Sequence, residues 1–256
     1  MENLGNRMKS WGIHVALFHN YPHPLGPGGA KGAPTTPFNL PALEEKLGFV
    51  GFDIYSRKEL YDHVKTIASY VSGCSRFPYI PEFIMGVWPW YIKPGDVTDE
   101  VFVTKEALMH GIKEFNRYML VDRNKWLGSP INRKGVVKED SYAAHKKVGT
   151  NLMKIRWNDF AKCDDVLLVV NRDYDRLEAA TTLLPVVGDF LEPVFGFSEY
   201  PSSVIVSDEN LGFSRPIQQH KSTWFDAFYR ALTEGGVVFS LGDTAQSVDR
   251  KSTRLN

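Results

Sequence analysis

Apolar and polar positions fall in blocks along the first half of the chain, and the blocks alternate in type. Residues 10–21, SWGIHVALFHNY, carry the apolar run IHVALF followed by His19, Asn20 and Tyr21. This pattern predicts a buried strand whose C-terminal end opens to solvent. A Gly/Pro-rich loop, PHPLGPGGAKGAPTTP (22–37), follows; it contains no Gly-Lys-Ser/Thr and is not a phosphate-binding loop. GFVGFDIY (48–55) predicts a second strand ending in Asp53 and Tyr55. Ser56-Arg57-Lys58-Glu59 fits a capping box. Behind it Leu60, Val64, Ile67, Ala68 and Val71 recur at helical spacing up to Gly73, a candidate terminator. YIPEFIMG (79–86) predicts a third strand, 104–113 a second helix, and NRYMLV (116–121) a fourth strand running into Asp122 and Arg123. Strands alternating with helices predict a parallel sheet, and ligands bind at the C-terminal ends of such strands.

The second half repeats the alternation. A helix near 139–156 carries Tyr142, His145, Val148, Leu152 and Ile155 on one side and leads into a second unit. DDVLLVVN (164–171) predicts a strand, followed by a helix at 174–184, a strand at 202–207, a helix at 224–234 and a strand at 237–240. The order is that of a doubly wound fold. Its first strand-to-helix junction, NRDYDR, lacks the Gly-x-Gly-x-x-Gly fingerprint, so no dinucleotide cofactor is implied. Asp243, in LGDT, reads as a strand-end or capping residue of this unit.

Composition narrows the class. The chain has 256 residues, 43% hydrophobic and 23% charged, with a formal net charge of +0. That is a globular composition, and the neutral balance gives no case for nucleic acid or an anionic membrane as partner. No apolar run approaches the ~18 residues of a transmembrane helix, and MENLGNRMKSWG lacks the apolar core of a signal peptide. Cys74 and Cys163 form no Cys-x-x-Cys, so neither a thiolate metal site nor a disulfide framework is suggested; a reducing, cytoplasmic compartment is the expectation. Aromatic residues reach 13%, with clusters such as WPWY (88–91), which suit either a flat binding platform or core packing.

The last eight residues, DRKSTRLN (249–256), are set aside. One reverse translation, GAT CGG AAG AGC ACA CGT CTG AAC, is similar to a short-read sequencing adapter read in frame. The expectation is that these residues are not native and that the natural protein continues past Val248.

The chemistry centres on Glu82, a carboxylate in the mostly apolar YIPEFIMGVWPW (79–90). Buried and unpaired it costs several kcal/mol, so it belongs either at the rim of a site or in a solvated or ion-paired strand end. An inward-facing carboxylate near the C-terminal rim of a barrel strand is a recurrent catalytic placement.

The order GFDIY, helix, FPYIPEFIMGVW, FNRYMLVDRNKWLGSPI resembles the back half of a clan A glycoside hydrolase barrel, most closely families 35 and 42, the beta-galactosidase type. Family 35 carries Ser-Glu-Phe/Tyr and then Gly-Trp on its seventh strand; here stand Pro81-Glu82-Phe83 and Gly86-Val87-Trp88. Its eighth-strand Asn-Leu-Tyr-Met is matched by Asn116-Arg117-Tyr118-Met119, whereas its following glycine-rich segment is replaced by Val121–Trp126. WFDAFYRALTEGGVVFSLGDT is similar to the flavodoxin-like domain that follows the barrel in family 42 and serves oligomerisation. The combination resembles the archaeal-type exo-beta-D-glucosaminidases.

The resemblance implies an α/β chain: the C-terminal half of a TIM (β/α)8 barrel over 1–135, about strands five to eight; a connecting helix over 136–160; and a truncated flavodoxin-like doubly wound domain over 161–248. It implies Glu82 as nucleophile of a retaining exo-glycosidase acting on an oligosaccharide or small glycoside, with no cofactor and no metal, and a homo-oligomer through the second domain. Trp88, Trp90 and Trp126 would stack on sugar, and Asn20, Asp53, Tyr55, Tyr118 and Arg123 would bond hydroxyls; each also has a plain reading as a packing or rim residue.

A retaining glycosidase needs a second carboxyl, in this clan a Glu after Asn on the fourth strand, and no Asn-Glu occurs in the chain. The expectation is that Met1 is an internal or false start, that the acid/base lies on strands absent from this sequence, and that the chain alone is inactive on ordinary glycosides. Two rivals stand beside this: a non-enzymatic carbohydrate-binding or assembly module, and a different TIM-barrel or doubly wound enzyme, for example a hydrolase using Asp53 and Glu82 together.

Overall fold

The computed structural model describes residues 2–15, 17–21, 39–87, 96–170 and 218–243. Helix α1 (Glu2–Ser10) precedes strand β1 (Phe18–Tyr21). Helix α2 (Leu40–Leu47), β2 (Phe49–Phe52), α3 (Tyr61–Cys74), β3 (Tyr79–Ile84), α4 (Val97–Met109) and β4 (Glu114–Tyr118) then alternate. Helix α5 (Glu139–Lys154), β5 (Val166–Val170), α6 (Gln218–Glu234) and β6 (Phe239–Asp243) complete the described elements.

Every pairing between the described strands is parallel. β1 pairs with β2, Asn20 lying opposite Gly51 and Tyr21 opposite Phe52. Past the end of β2, Ile54 bridges to Phe83: its N–H donates to the Glu82 carbonyl (2.9 Å), and Ile84 N–H donates back to the Ile54 carbonyl (3.0 Å). β3 pairs with β4, and β5 with β6 in a separate sheet. β1 to β4 therefore lie side by side in chain order, and the intervening helices supply the crossovers that parallel strands require.

Helix α3 shows what joins the two sheets. Eleven of its residues are buried, among them His63, Lys65, Thr66, Ser69 and Tyr70 as well as Val64, Ile67, Ala68 and Val71. A helix buried all round sits between layers; α3 packs on β2 and on β6. A Cβ on Gly73 would stand 2.0 Å from the Leu241 carbonyl oxygen of β6, so this glycine is a contact point between backbones, and α3 runs one residue past it. Asp243 ends β6 and is buried; its carboxylate accepts from Asn39 Nδ2 (3.1 Å) and the Tyr70 hydroxyl (2.7 Å), tying β6 to the segments around α2 and α3.

Several element boundaries differ from the sequence reading. Residues 13–15 and Leu17, before Phe18, are not strand: Val15 is exposed, and Phe18–Tyr21 pairs with β2. The capping box at Ser56 does not form. Lys58 N–H donates instead to Asp99 Oδ1 (2.7 Å), a short 3₁₀ turn covers Lys58–Leu60, and α3 starts at Tyr61. α4 begins at Val97 rather than 104, because Asp96 caps it by accepting from Asp99 N–H (2.8 Å). β4 ends at Tyr118, before the apolar Leu120 and Val121, which are exposed; the Tyr118–Met119 peptide is cis. α6 starts six residues earlier than expected, and β6 reaches Asp243. The helix and strand expected at 174–184 and 202–207, the loop 22–37, Trp88 and Trp90 lie outside the described residues.

Candidate active site

The site is built where β1, the segment after β2, and β3 run side by side. Ile80 lies opposite Phe115 and Phe83 opposite Arg117, so three steps along β3 match two along β4. One extra residue is inserted at Pro81–Glu82, a bulge of the kind that re-aims a side chain beside a site. Proline suits it, having no N–H to give to a ladder. The Pro81 carbonyl accepts from Asn116 Nδ2 at 3.2 Å. On the other side, a Cβ at Gly51 would fall 2.5 Å from Pro81 Cδ and 2.6 Å from the Tyr79 carbonyl, so glycine is what lets β2 approach the bulge.

Glu82 emerges half-buried and held at both oxygens. Asn20 Nδ2 donates to Oε1 at 3.1 Å, and the Tyr55 hydroxyl donates to Oε2. Asn20 comes from β1 and Tyr55 from the segment after β2, so neighbouring strands fix the two acceptors. The same Asn20 amide nitrogen lies 3.3 Å from Asp53 Oδ2, bridging the two carboxyls. Asp53 is 4% exposed. Burial, and then the nearby Glu82 charge, push its pKa up to about 7, while the Asn20 amide and the Glu82 backbone N–H pull it down. Burial and the bond to Glu82 likewise push the Tyr55 phenol well above its ordinary value, so it stays a proton donor.

An aromatic wall adjoins the carboxylates. Tyr55, Tyr118 and Trp126 pair edge-to-face, with ring centroids 5.2 Å apart for Tyr118–Trp126, 6.0 Å for Tyr55–Trp126 and 6.4 Å for Tyr55–Tyr118. Trp126 is oriented by donating Nε1–H to the Met85 carbonyl (3.0 Å). The exposed Arg123 donates to the Tyr118 hydroxyl at 2.6 Å and lies over that ring. The arrangement offers a carboxylate with fixed lone pairs, a second carboxyl able to hold a proton near neutrality, and aromatic edges and faces beside both. Among the described residues, no group of three or more metal-ligating side chains converges.

Of the sequence-predicted site residues, Asn20, Asp53, Tyr55 and Glu82 are brought into one hydrogen-bonded cluster, with Tyr118, Arg123 and Trp126 beside it. The Asp53 carboxyl faces Asn20 and Glu82 from a buried position. Sequence reasoning missed Gly51, for which a glycine inside a strand pattern was the available signal. It also missed Arg117, half-buried against the Phe83 and Phe115 rings (4.8 and 4.7 Å) and donating to the Ile84 carbonyl (3.1 Å). Burial lowers its pKa to about 10.

Fold and site together define an α/β protein with a carboxylate pair at the C-terminal ends of parallel strands. The sequence matches no protein-family model and no curated protein. The fold is similar to the crystal structure of a beta-galactosidase from the psychrophilic Marinomonas ef1, with a TM-score of 0.54 and 14% identity over 96% of this chain. The chain spans 36% of the length of that protein. No helix among the described residues is long and apolar enough to cross a membrane.

Proposed function

We propose that this chain carries the nucleophile half of a retaining exo-β-glycosidase of beta-galactosidase or beta-D-glucosaminidase type. β1 to β4 correspond to about strands five to eight of a (β/α)8 barrel over 1–135, joined through α5 to a flavodoxin-like unit over 161–248 that serves homo-oligomerisation. The observation that carries this reading is the double hold on Glu82 by Asn20 and Tyr55 at the C-terminal end of a parallel strand. The likeness to a beta-galactosidase fold supports it.

In the proposed reaction a Glu82 oxygen attacks the anomeric carbon of a terminal sugar as the bond to the leaving oxygen breaks. That oxygen takes its proton from the second carboxyl, about 5–5.5 Å from Glu82 in a retaining enzyme. Water, deprotonated by the same carboxyl, then displaces Glu82 and frees the sugar. The Tyr55 and Asn20 donors hold the carboxylate in the attacking orientation and take up the charge that returns when the ester breaks. The acid/base carboxyl lies on strands outside this sequence, so ordinary glycosides are not turned over by this chain alone. Tyr118, Trp126 and Arg123 line the sugar site, and Asp53 stands behind the nucleophile.

A 2,4-dinitrophenyl β-D-galactoside tests this, because its leaving group departs without protonation. One equivalent of dinitrophenolate per chain, lost in Glu82→Gln, is the expected result; equal release by the variant contradicts it. The aromatic wall also favours a second reading, a carbohydrate-binding module without catalysis. Sugar binding with no dinitrophenolate release from the wild-type chain would select that reading.

A further inference from the structure

The two arms that carry Tyr55 and Glu82 are held by side chains outside the site. Asp99 and Glu100, in the first turn of α4, are each 4% exposed. Glu100 Oε1 accepts from the backbone N–H of Gly86 at 2.9 Å, four residues beyond Glu82. Asp99 Oδ1 accepts from Lys58 N–H at 2.7 Å, three residues beyond Tyr55. Arg57 pairs with both, Nε standing 3.6 Å from Asp99 Oδ2 and Nη1 3.7 Å from Glu100 Oε1. His145 of α5 places Nε2 2.8 Å from Glu100 Oε2.

The Gly86 turn is a junction for the rest of the site. Met85, just before it, gives N–H to the Tyr118 carbonyl (2.9 Å) and accepts Nε1–H of Trp126 (3.0 Å). Val87, just after it, exchanges hydrogen bonds with Leu127 at 2.7 and 2.8 Å. Gly86 itself has φ +72, and a Cβ there would stand 2.7 Å from the Leu127 carbonyl oxygen and from the Ser129 nitrogen. The turn is therefore packed on one side and anchored on the other by a single carboxylate.

We infer that Glu100 is a positioning residue for the Glu82 chemistry: it anchors the Gly86 turn and, with Asp99 and Arg57, holds the Glu82 and Tyr55 arms in register. This deepens the glycosidase reading and rests on it for one of its two readouts. Displacing a reacting group by about 1 Å costs roughly a hundredfold in rate, so loss of the anchor shows in the reaction at Glu82 before it shows in the fold.

The test compares Glu100→Ala and Glu100→Gln with Glu44→Gln. Glu44 is another buried carboxylate, bonded to Ser75 and Arg76, that anchors no residue of the site. The probe is 2,4-dinitrophenyl 2-deoxy-2-fluoro-β-D-galactoside, and the second readout is the Gly86 amide resonance and its hydrogen exchange. Glu100→Ala is expected to slow dinitrophenolate release about ten- to a hundredfold and to expose the Gly86 amide. Glu100→Gln, which still offers an oxygen to Gly86, keeps most of the rate, and Glu44→Gln keeps all of it. An unchanged rate and unchanged Gly86 amide in Glu100→Ala overturn the inference, as does equal slowing by Glu44→Gln. If Glu100→Ala does not fold, the Gly86 resonance of Glu100→Gln decides: it moves on losing the charged acceptor, and an unmoved resonance overturns the inference. If the wild-type chain releases no dinitrophenolate, the glycosidase reading has failed, and the Gly86 amide in Glu100→Ala still decides the anchor.

Discussion

The Tyr55 hydroxyl donates a hydrogen bond to Glu82 Oε2, while the Asn20 amide holds the other oxygen from β1, one strand further along the sheet. The phenol ring is oriented by edge-to-face contacts with Tyr118 and Trp126.

Tyr55→Phe keeps the ring and removes the donor. A hydrogen bond to a charged group contributes about 1.5–3 kcal/mol; without it the carboxylate is free to turn from the attacking orientation, so the rate of glycosylation at Glu82 should fall roughly ten- to a hundredfold. Thermal stability should fall as well, by up to a similar amount. Stopped-flow dinitrophenolate release checks the first and calorimetry the second; an unchanged rate would remove Tyr55 from the proposed mechanism.

Asp53 makes the stability depend on pH in a defined direction. Its folded pKa is raised from 3.8 to about 7, so between these values the native state holds a proton that the unfolded chain has lost. Ionisation therefore destabilises the native state progressively from pH 4 to pH 7, and the cost is complete above that. Asp53→Asn should raise the melting temperature at pH 8 and leave it nearly unchanged at pH 4. A difference that is equal at both pH values would contradict this origin.

Much of the site was legible because strand ends advertise themselves. Asp53, Tyr55 and Glu82 are polar residues closing or interrupting apolar runs, and that pattern alone placed them at one end of a parallel sheet. The bulge was not legible: whether Pro81 breaks β3 or bends it depends on Gly51 and Asn116, which are distant in sequence. The failed capping box has the same cause, since Asp99 across the fold takes the Lys58 N–H that local pairing would have left in the turn. The exposed Val15 and Leu120 show the converse error, apolar residues read as strand where no neighbouring strand pairs with them.

Gly73 was read as a helix terminator, and the structure makes it a spacer. Gly73→Ala drives a methyl group to within 2.0 Å of the Leu241 carbonyl oxygen, forcing α3 and β6 apart. Overpacking of this kind costs about 1–3 kcal/mol. Urea unfolding should show a loss of that size; a midpoint equal to wild type would mean that α3 and β6 do not touch in solution.

Whether Glu82 is the nucleophile is read by peptide mass spectrometry after reaction with 2,4-dinitrophenyl 2-deoxy-2-fluoro-β-D-galactoside. The fluorine slows hydrolysis of the glycosyl ester, and the leaving group needs no acid, so the ester accumulates without the second carboxyl. One fluorosugar per chain is expected, on the peptide containing Tyr79–Met85 and at Glu82. A chain that stays unmodified, or a label on Asp53 in place of Glu82, would contradict it.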